Sequence, residues 1–187
     1  VPHVSLYSLT FEPSTPFQRA VERGKTIPPE DDVAAAMFRL AVSRLGHDGI
    51  EWYEVSNFAR PGFESLHNQV YWRNEEYLGC GPAAYSCVDG VRIQNKTTLL
   101  SWSADLRAGG DGITERIDLD NRARYLETLL TGLRTRQGVD LARLSDATGF
   151  DARTLRAAHL HDLTTGGLAL FDGRSLKLTT DGILLLD

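Results

Sequence analysis

Residues 28–55 read Pro-Pro-Glu-Asp-Asp-Val-Ala-Ala-Ala-Met-Phe-Arg-Leu-Ala-Val-Ser-Arg-Leu-Gly-His-Asp-Gly-Ile-Glu-Trp-Tyr-Glu-Val. Prolines at the entry and acids in the first turn are helix-start chemistry, because the N-terminal end of the helix dipole favours negative charge. Val33, Met37, Leu40, Ala41 and Leu45 follow at helical spacing. They predict an amphipathic helix to about His47, closed by Gly49. Glu51 to Val55 then reads as a short strand. Upstream, Val4-Ser5-Leu6-Tyr7-Ser8-Leu9 alternates apolar and small polar residues, the pattern of another strand. Pro13 and Pro16 interrupt it, and Pro16-Phe17 opens a short helix ending at Gly24. Strand, helix, strand predicts the α/β class, with helices covering a parallel sheet.

Composition sets wider bounds. A chain of 187 residues is one domain or two small ones. With 42% apolar and 24% charged residues it is an ordinary globular sequence, large enough to bury a core. A net charge of −5 gives no general polyanion-binding face. The cysteines, Cys80 and Cys87, give no disulfide framework, which fits a reducing compartment and a cytoplasmic setting. Val1-Pro2-His3-Val4 lacks the basic start of a signal peptide. No apolar run approaches the ~20 residues that span a bilayer. The chain does not begin with Met and closes in Ile183-Leu184-Leu185-Leu186-Asp187, so both ends read as cut and a larger protein is expected.

Residues 57–97 are rich in Gly, Asn and aromatics, the texture of site-building loops. Ala84 to Val88, the turn Asp89-Gly90, and Val91 to Gln94 predict a hairpin. Thr98 to Ala108 reads as a helix. Gly109-Gly110-Asp111-Gly112 reads as a linker, placing a boundary near residue 111, with 1–110 and 111–187 as the two parts. In the second part Asp120 caps a helix whose face is Leu126, Leu129, Leu130 and Leu133. Leu141 to Thr148, a turn at Gly149-Phe150, a helix from Asp151 to about Thr165, and a hairpin around Asp172-Gly173-Arg174 complete a winged-helix pattern. Arg153, Arg156, His159 and His161 occupy the recognition position. Yet from Gly138 onward five basic residues face seven aspartates, Asp187 among them. Neutralising phosphates needs the opposite balance, so no nucleic-acid partner is expected and a structural or docking role is preferred.

Three clusters carry candidate chemistry. Gly79-Cys80-Gly81-Pro82-Ala83-Ala84 formally matches a dinucleotide fingerprint, but Pro82 removes an N–H and a strand follows where a helix must open. It reads instead as a tight turn where backbone approaches closely either a neighbouring strand or a ligand. Cys80 and Cys87 fit no metal spacing and read as buried small hydrophobes. The hexapeptide His67-Asn68-Gln69-Val70-Tyr71-Trp72 concentrates an imidazole, a carboxamide, a phenol and an indole. Either it is a loop whose aromatics fill core, or it is a site for a flat aromatic ligand or a metal, with His for axial ligation and the aromatic rings for stacking.

Tyr53-Glu54-Val55-Ser56-Asn57-Phe58-Ala59, Pro61-Gly62, His67-Asn68-x-x-Tyr71-Trp72 and Tyr77-Leu78-Gly79-Cys80-Gly81-Pro82 occur in that order. In this the chain resembles the radical S-adenosylmethionine heme chaperones, relatives of the oxygen-independent coproporphyrinogen III oxidases. The run from Leu6 to Phe17 is similar to a late barrel strand and loop of that family. Gly132-Leu133-Arg134 with Gly138-Val139-Asp140-Leu141 is similar to the start of its small C-terminal domain.

The resemblance implies a fold: the C-terminal part of a partial (β/α) barrel, followed by a winged-helix-like α+β domain. It implies that the full protein carries a [4Fe–4S] cluster on a C-x-x-x-C-x-x-C motif and binds S-adenosylmethionine. That motif is not in this sequence, so no metal ligands are expected here, and this stretch alone should perform no radical chemistry. The resemblance implies heme binding at His67, Asn68, Tyr71 and Trp72, with His67 as axial ligand. It places Thr10, Gly79, Gly81 and Tyr85 towards S-adenosylmethionine. Ala83-Ala84-Tyr85 stands where the family often has Gly-Ala-His, and Leu66 where a basic residue often stands. The implied function is a heme chaperone that delivers heme to apoproteins. The alternatives are a coproporphyrinogen III oxidase acting on a porphyrinogen and, third, a winged-helix binding module.

Overall fold

The computed structural model describes residues 1–186; Asp187, the last acid counted above, lies outside the described residues. In chain order the elements are β1 (His3–Ser5), α1 (Pro16–Glu22), α2 (Asp31–His47), β2 (Glu51–Glu54), β3 (Asn57–Ala59) and α3 (Leu66–Trp72). There follow β4 (Tyr85–Val88), β5 (Val91–Asn95), α4 (Leu99–Arg107), β6 (Ile113–Asp118) and α5 (Asn121–Gly132). The last are β7 (Val139–Asp140), α6 (Leu141–Thr148), α7 (Ala152–Leu155), α8 (Ala157–Thr165), β8 (Ala169–Phe171), β9 (Ser175–Leu178) and α9 (Thr180–Ile183). The chain forms two compact units, Val1–Glu64 with the chain from Thr180, and Ser65–Thr179.

In the first unit the sheet order is β1-β3-β2, and both outer strands run antiparallel to β3. The expected parallel pairing is not what forms. β1 and β2 do run in the same direction, but β3 doubles back at once from β2 and takes the place between them. The first strand is also shorter than its alternation predicts. Leu6 N–H still reaches Ser56 O at 2.7 Å, but Leu6, Tyr7 and Leu9 are exposed, with no strand beyond Ser5 to order them.

α2 forms where expected, but only part of the expected stripe, Ala41 and Leu45, faces the core. Phe38, Ala41, Val42 and Leu45 pack on Ile50, Trp52 and Phe58. Val33, Met37 and Leu40 face outward instead, at 49%, 62% and 68% exposure. The helix carries two apolar stripes, and the one with the large ring wins: Phe38 meets Trp52 edge-on, with centroids 6.2 Å apart. Beneath the sheet, buried Glu54 accepts from the Asn57 amide, and Asn57 Oδ1 accepts from Ser5 Oγ at 2.5 Å. A buried carboxylate is tolerated only with such partners.

In the second unit β4, β5 and β6 form an antiparallel sheet. Asp89 and Gly90 both have positive φ, 50° and 74°, the tight hairpin turn their sequence predicts. The glycine run at 109–112 lies within this unit. Asp105 accepts from Gly112 N–H at 2.8 Å and from Lys96 Nζ at 2.6 Å, binding the end of α4 to the start of β6. These two contacts hold the Asp105 carboxyl below its usual range, Lys96 contributing most.

The winged-helix pattern is realised with sheet order β7-β9-β8. Leu141, Leu144, Ala152, Leu160, Ala169, Leu176 and Leu178 are its core. Two details differ from expectation. The helix from Asp151 breaks at Arg156, whose φ of −127° leaves the helical region. On α5 the inward stripe is Tyr125, Leu129 and Gly132, while Leu126 and Leu130 are 46% and 54% exposed. A Cβ at Gly132 would sit 2.5 Å from Val139 Cγ2, so β7 approaches α5 through the glycine, and this rotates the leucines outward. In the recognition position, Arg153 pairs with its own cap Asp151 at 2.8 Å.

Leu141 is fully buried at the α6 entry. Leu141→Ala should lower unfolding free energy by about 2–5 kcal/mol, which urea denaturation followed by circular dichroism will read.

Candidate functional site

The hexapeptide is helical, not a loop. Ser65 caps it, its side chain accepting from Asn68 N–H at 3.3 Å, and α3 runs from Leu66 to Trp72. The helix sorts the motif onto different faces. Residues four apart share a face, so His67 lies over Tyr71, and Asn68 over Trp72. His67 and Tyr71 are exposed; Asn68 and Trp72 are half-buried. The His67 and Tyr71 rings meet edge-on, centroids 4.8 Å apart at 88°. Trp72 Nε1 is buried and makes no hydrogen bond to the described residues. Thus the four motif residues supply two kinds of group: an accessible imidazole and phenol, and behind them a carboxamide and an indole.

Tyr71 in turn rests on Tyr77, with centroids 4.6 Å apart at 74°. Tyr77 exchanges two backbone hydrogen bonds with Cys87 of β4, at 3.0 and 2.9 Å. Cys87 stands opposite Arg92 on β5. Directly opposed residues share one face of a sheet, so Tyr77, Cys87 and Arg92 form a row. Arg92 reaches from this row to α5, where its two terminal nitrogens donate to the two Glu127 oxygens at 2.7 and 2.9 Å. That pairing raises the Arg92 pKa further. Burial raises the Tyr77 pKa, while the Arg92 guanidinium beside it pulls the other way. Asn74, just after α3, donates to Thr128 Oγ1 at 3.2 Å, a tie from the end of this helix to α5.

Sequence reasoning missed Tyr77, Arg92 and Glu127 as members of this cluster. Arg92 alternates with Val91 and Ile93, which in a strand reads as a solvent-facing position. Its partner lies 35 residues away on a helix. The one available signal was Tyr77, a large ring immediately before the glycine turn.

That turn has an internal explanation. A Cβ at Gly79 would lie 2.0 Å from the Tyr85 carbonyl oxygen, so the chain's own β4 backbone demands the glycine. Gly79 N–H also donates to Ser86 Oγ at 2.9 Å. Gly81 adopts φ +94° with open space around its missing Cβ, and its carbonyl accepts from Asn95 Nδ2 at 2.8 Å. Tyr85 is 45% exposed at the start of β4. Thr10 is exposed and belongs to the first unit, whereas Gly79, Gly81 and Tyr85 belong to the second. Contrary to expectation, only Cys87 is buried; Cys80 is exposed within the turn. The buried cysteine is the one whose strand faces the α3 and α5 layer.

Comparison with known proteins identifies this architecture. Residues 119–185 match the HemN C-terminal domain. The chain is 34% identical over 196 residues to the radical S-adenosyl methionine domain-containing protein 1, mitochondrial, of Danio rerio, covering 99% of this chain and 44% of that protein. It is 32% identical over 183 residues to the heme chaperone HemW of Bacillus subtilis, covering 98% and 48%. It is 36% identical over 187 residues to the heme chaperone HemW of Mycobacterium tuberculosis, covering 100% and 46%. The solved coproporphyrinogen III oxidase (HemN) of Escherichia coli, a radical SAM enzyme, shares the fold with a TM-score of 0.64 at 18% identity, over 84% of this chain and 40% of that one. These matches support the C-terminal portion of a radical S-adenosylmethionine protein of the HemN and HemW type. The chain spans about half the length of the curated relatives it matches.

Ala83 holds φ +61°, in the left-handed region. Removing its Cβ relieves roughly 1–2 kcal/mol of local strain, offset in part by the greater freedom of an unfolded glycine. Ala83→Gly should therefore leave thermal stability equal or slightly higher by calorimetry, in contrast to Gly79→Ala, which should lower it sharply.

Proposed function

We propose that the whole protein is a heme chaperone that binds heme on the exposed face of α3 and passes it to apoproteins. One observation carries this reading. His67 is exposed, its ring set edge-on to Tyr71, and it makes no side-chain hydrogen bond among the described residues. A neutral imidazole in that state can offer a nitrogen lone pair to heme iron. Tyr71 beside it supplies a ring edge against which a flat macrocycle can rest. Leu66, 78% exposed at the start of the same helix, adds apolar surface. Asn68 and Trp72 complete the proposed heme set from behind that face, both half-buried and with the Trp72 Nε1 itself buried. The similarity to proteins named heme chaperones supports the same reading.

In this reading residues 1–110 belong to the barrel part and 111–187 to the C-terminal domain; the HemN C-terminal match begins at residue 119, after β6, which pairs with β5. The full protein's [4Fe–4S] cluster and S-adenosylmethionine would supply one-electron chemistry when bound. Thr10, Gly81 and Tyr85 are the positions we propose towards S-adenosylmethionine. Gly79 lies in the same turn, though its glycine is accounted for by β4. We place the protein in the cytoplasm, where the free thiols of Cys80 and Cys87 would stay reduced. No helix of the described residues is long and apolar enough to cross a membrane.

The experiment is a heme titration of the full-length protein, read at the Soret band. Wild type should bind, and His67→Ala should shift the Soret band and weaken binding by about tenfold or more. A variant indistinguishable from wild type removes His67 as the ligand. In a parallel assay with reconstituted cluster, steady conversion of coproporphyrinogen III would replace the chaperone reading with the oxidase one.

A further inference from the structure

We propose that Tyr77 is a positioning residue for heme ligation, holding the Tyr71 ring that in turn orients His67, and that the Arg92–Glu127 pair is its anchor. This rests on the heme reading above. It extends the site beyond the hexapeptide, to a strand edge and a second helix.

The geometry is a relay of rigid contacts. An exposed histidine on a helix of this length can sample several rotamers, and an axial ligand that must be ordered on binding costs affinity. Here the imidazole is set edge-on against Tyr71, and Tyr71 edge-on against Tyr77. Two stacked T-shaped contacts fix both rings only if the last one is itself immobile. Tyr77 meets that condition twice. Its backbone exchanges two hydrogen bonds with Cys87. Its phenol lies by Arg92, whose guanidinium is fixed by a two-pronged pair to Glu127. A planar fork on a carboxylate has one geometry, which a lysine or an exposed single contact would not enforce. Arg92 and Glu127 are each about one quarter exposed, 27% for both side chains, so the pair is shielded from much of the solvent competition that erodes surface pairs. Asn74 to Thr128 holds the far end of α3 to the same helix that bears Glu127, so ring relay and helix share one support. The arrangement parallels the way outer residues orient the imidazole at metal sites, here through ring edges rather than a hydrogen bond to the second ring nitrogen.

The test compares full-length wild type, His67→Ala, Tyr77→Leu, Tyr77→Phe and Glu127→Gln. Each is titrated with hemin and followed by Soret position, affinity, low-temperature electron paramagnetic resonance and apoprotein Tm. Tyr77→Leu should weaken hemin binding by about tenfold and move the Soret band and resonance spectrum towards those of His67→Ala. Tyr77→Phe keeps the ring and should recover most of the wild-type spectrum with a smaller loss of affinity. Glu127→Gln should fall between them, because Arg92 survives without its fork. A purely structural role would lower Tm in all of these while leaving the spectrum of the bound heme unchanged, and that result overturns the proposal. If His67→Ala abolishes the wild-type spectrum while Tyr77→Leu and Glu127→Gln keep it, the heme reading stands and the positioning role falls. If His67→Ala matches wild type, both fall.

Discussion

The arrangement at His67 depends on the two-pronged contact between Arg92 and Glu127. It joins the β4–β5 hairpin to α5, which share no backbone hydrogen bonds among the described residues. Its net contribution to stability is modest, because two charges must leave water to make it. Its contribution to geometry is larger. A planar guanidinium on a carboxylate admits little rotation, so Tyr77 on the same sheet row finds a fixed neighbour, and Tyr71 and His67 inherit that order through their rings.

Close backbone approach is the second constraint, and it acts at particular glycines. Gly79 exists because the Tyr85 carbonyl occupies the space of its Cβ. Gly132 exists because Val139 does the same on α5. In each case a strand is drawn against a neighbouring element more closely than a side chain permits. The turn at Gly79 places Tyr77 on the edge of β4, and the approach at Gly132 turns Leu126 and Leu130 outward. Ala83, at positive φ in the same turn, shows that the chain accepts local strain to keep this path.

Much of the fold was legible because short-range chemistry decides it. Asp31 and Asp32 at the start of α2, the Asp89-Gly90 hairpin and the caps Asp120 and Asp151 each act within a few residues. The winged-helix order follows from such signals. What was not legible was the partner of each pattern. α2 carries two apolar stripes, and only the neighbouring Trp52 selects the Phe38 stripe over Met37 and Leu40. The parallel sheet was a fair inference from strand, helix, strand, but β3 intervened because Asn57 to Ala59 could fold straight back on Glu51 to Glu54. The hexapeptide read as a loop because the seven residues of α3 are too few to show a clear period; Ser65 capping Asn68 decides it.

By itself the sequence determined the inventory of the site: a histidine, an asparagine, a tyrosine and a tryptophan at a spacing that places His67 with Tyr71 once a helix forms. It also determined the acidic balance of the winged-helix segment, since charge adds without regard to fold. Only the tertiary structure decided that His67 and Tyr71 face outward while Asn68 and Trp72 turn in, and that Tyr77, Arg92 and Glu127 stand behind them. The physical reason is range. Caps, turns and helical periods act over a few residues, whereas the contact that orders this site joins positions 35 apart through a sheet row and a neighbouring helix.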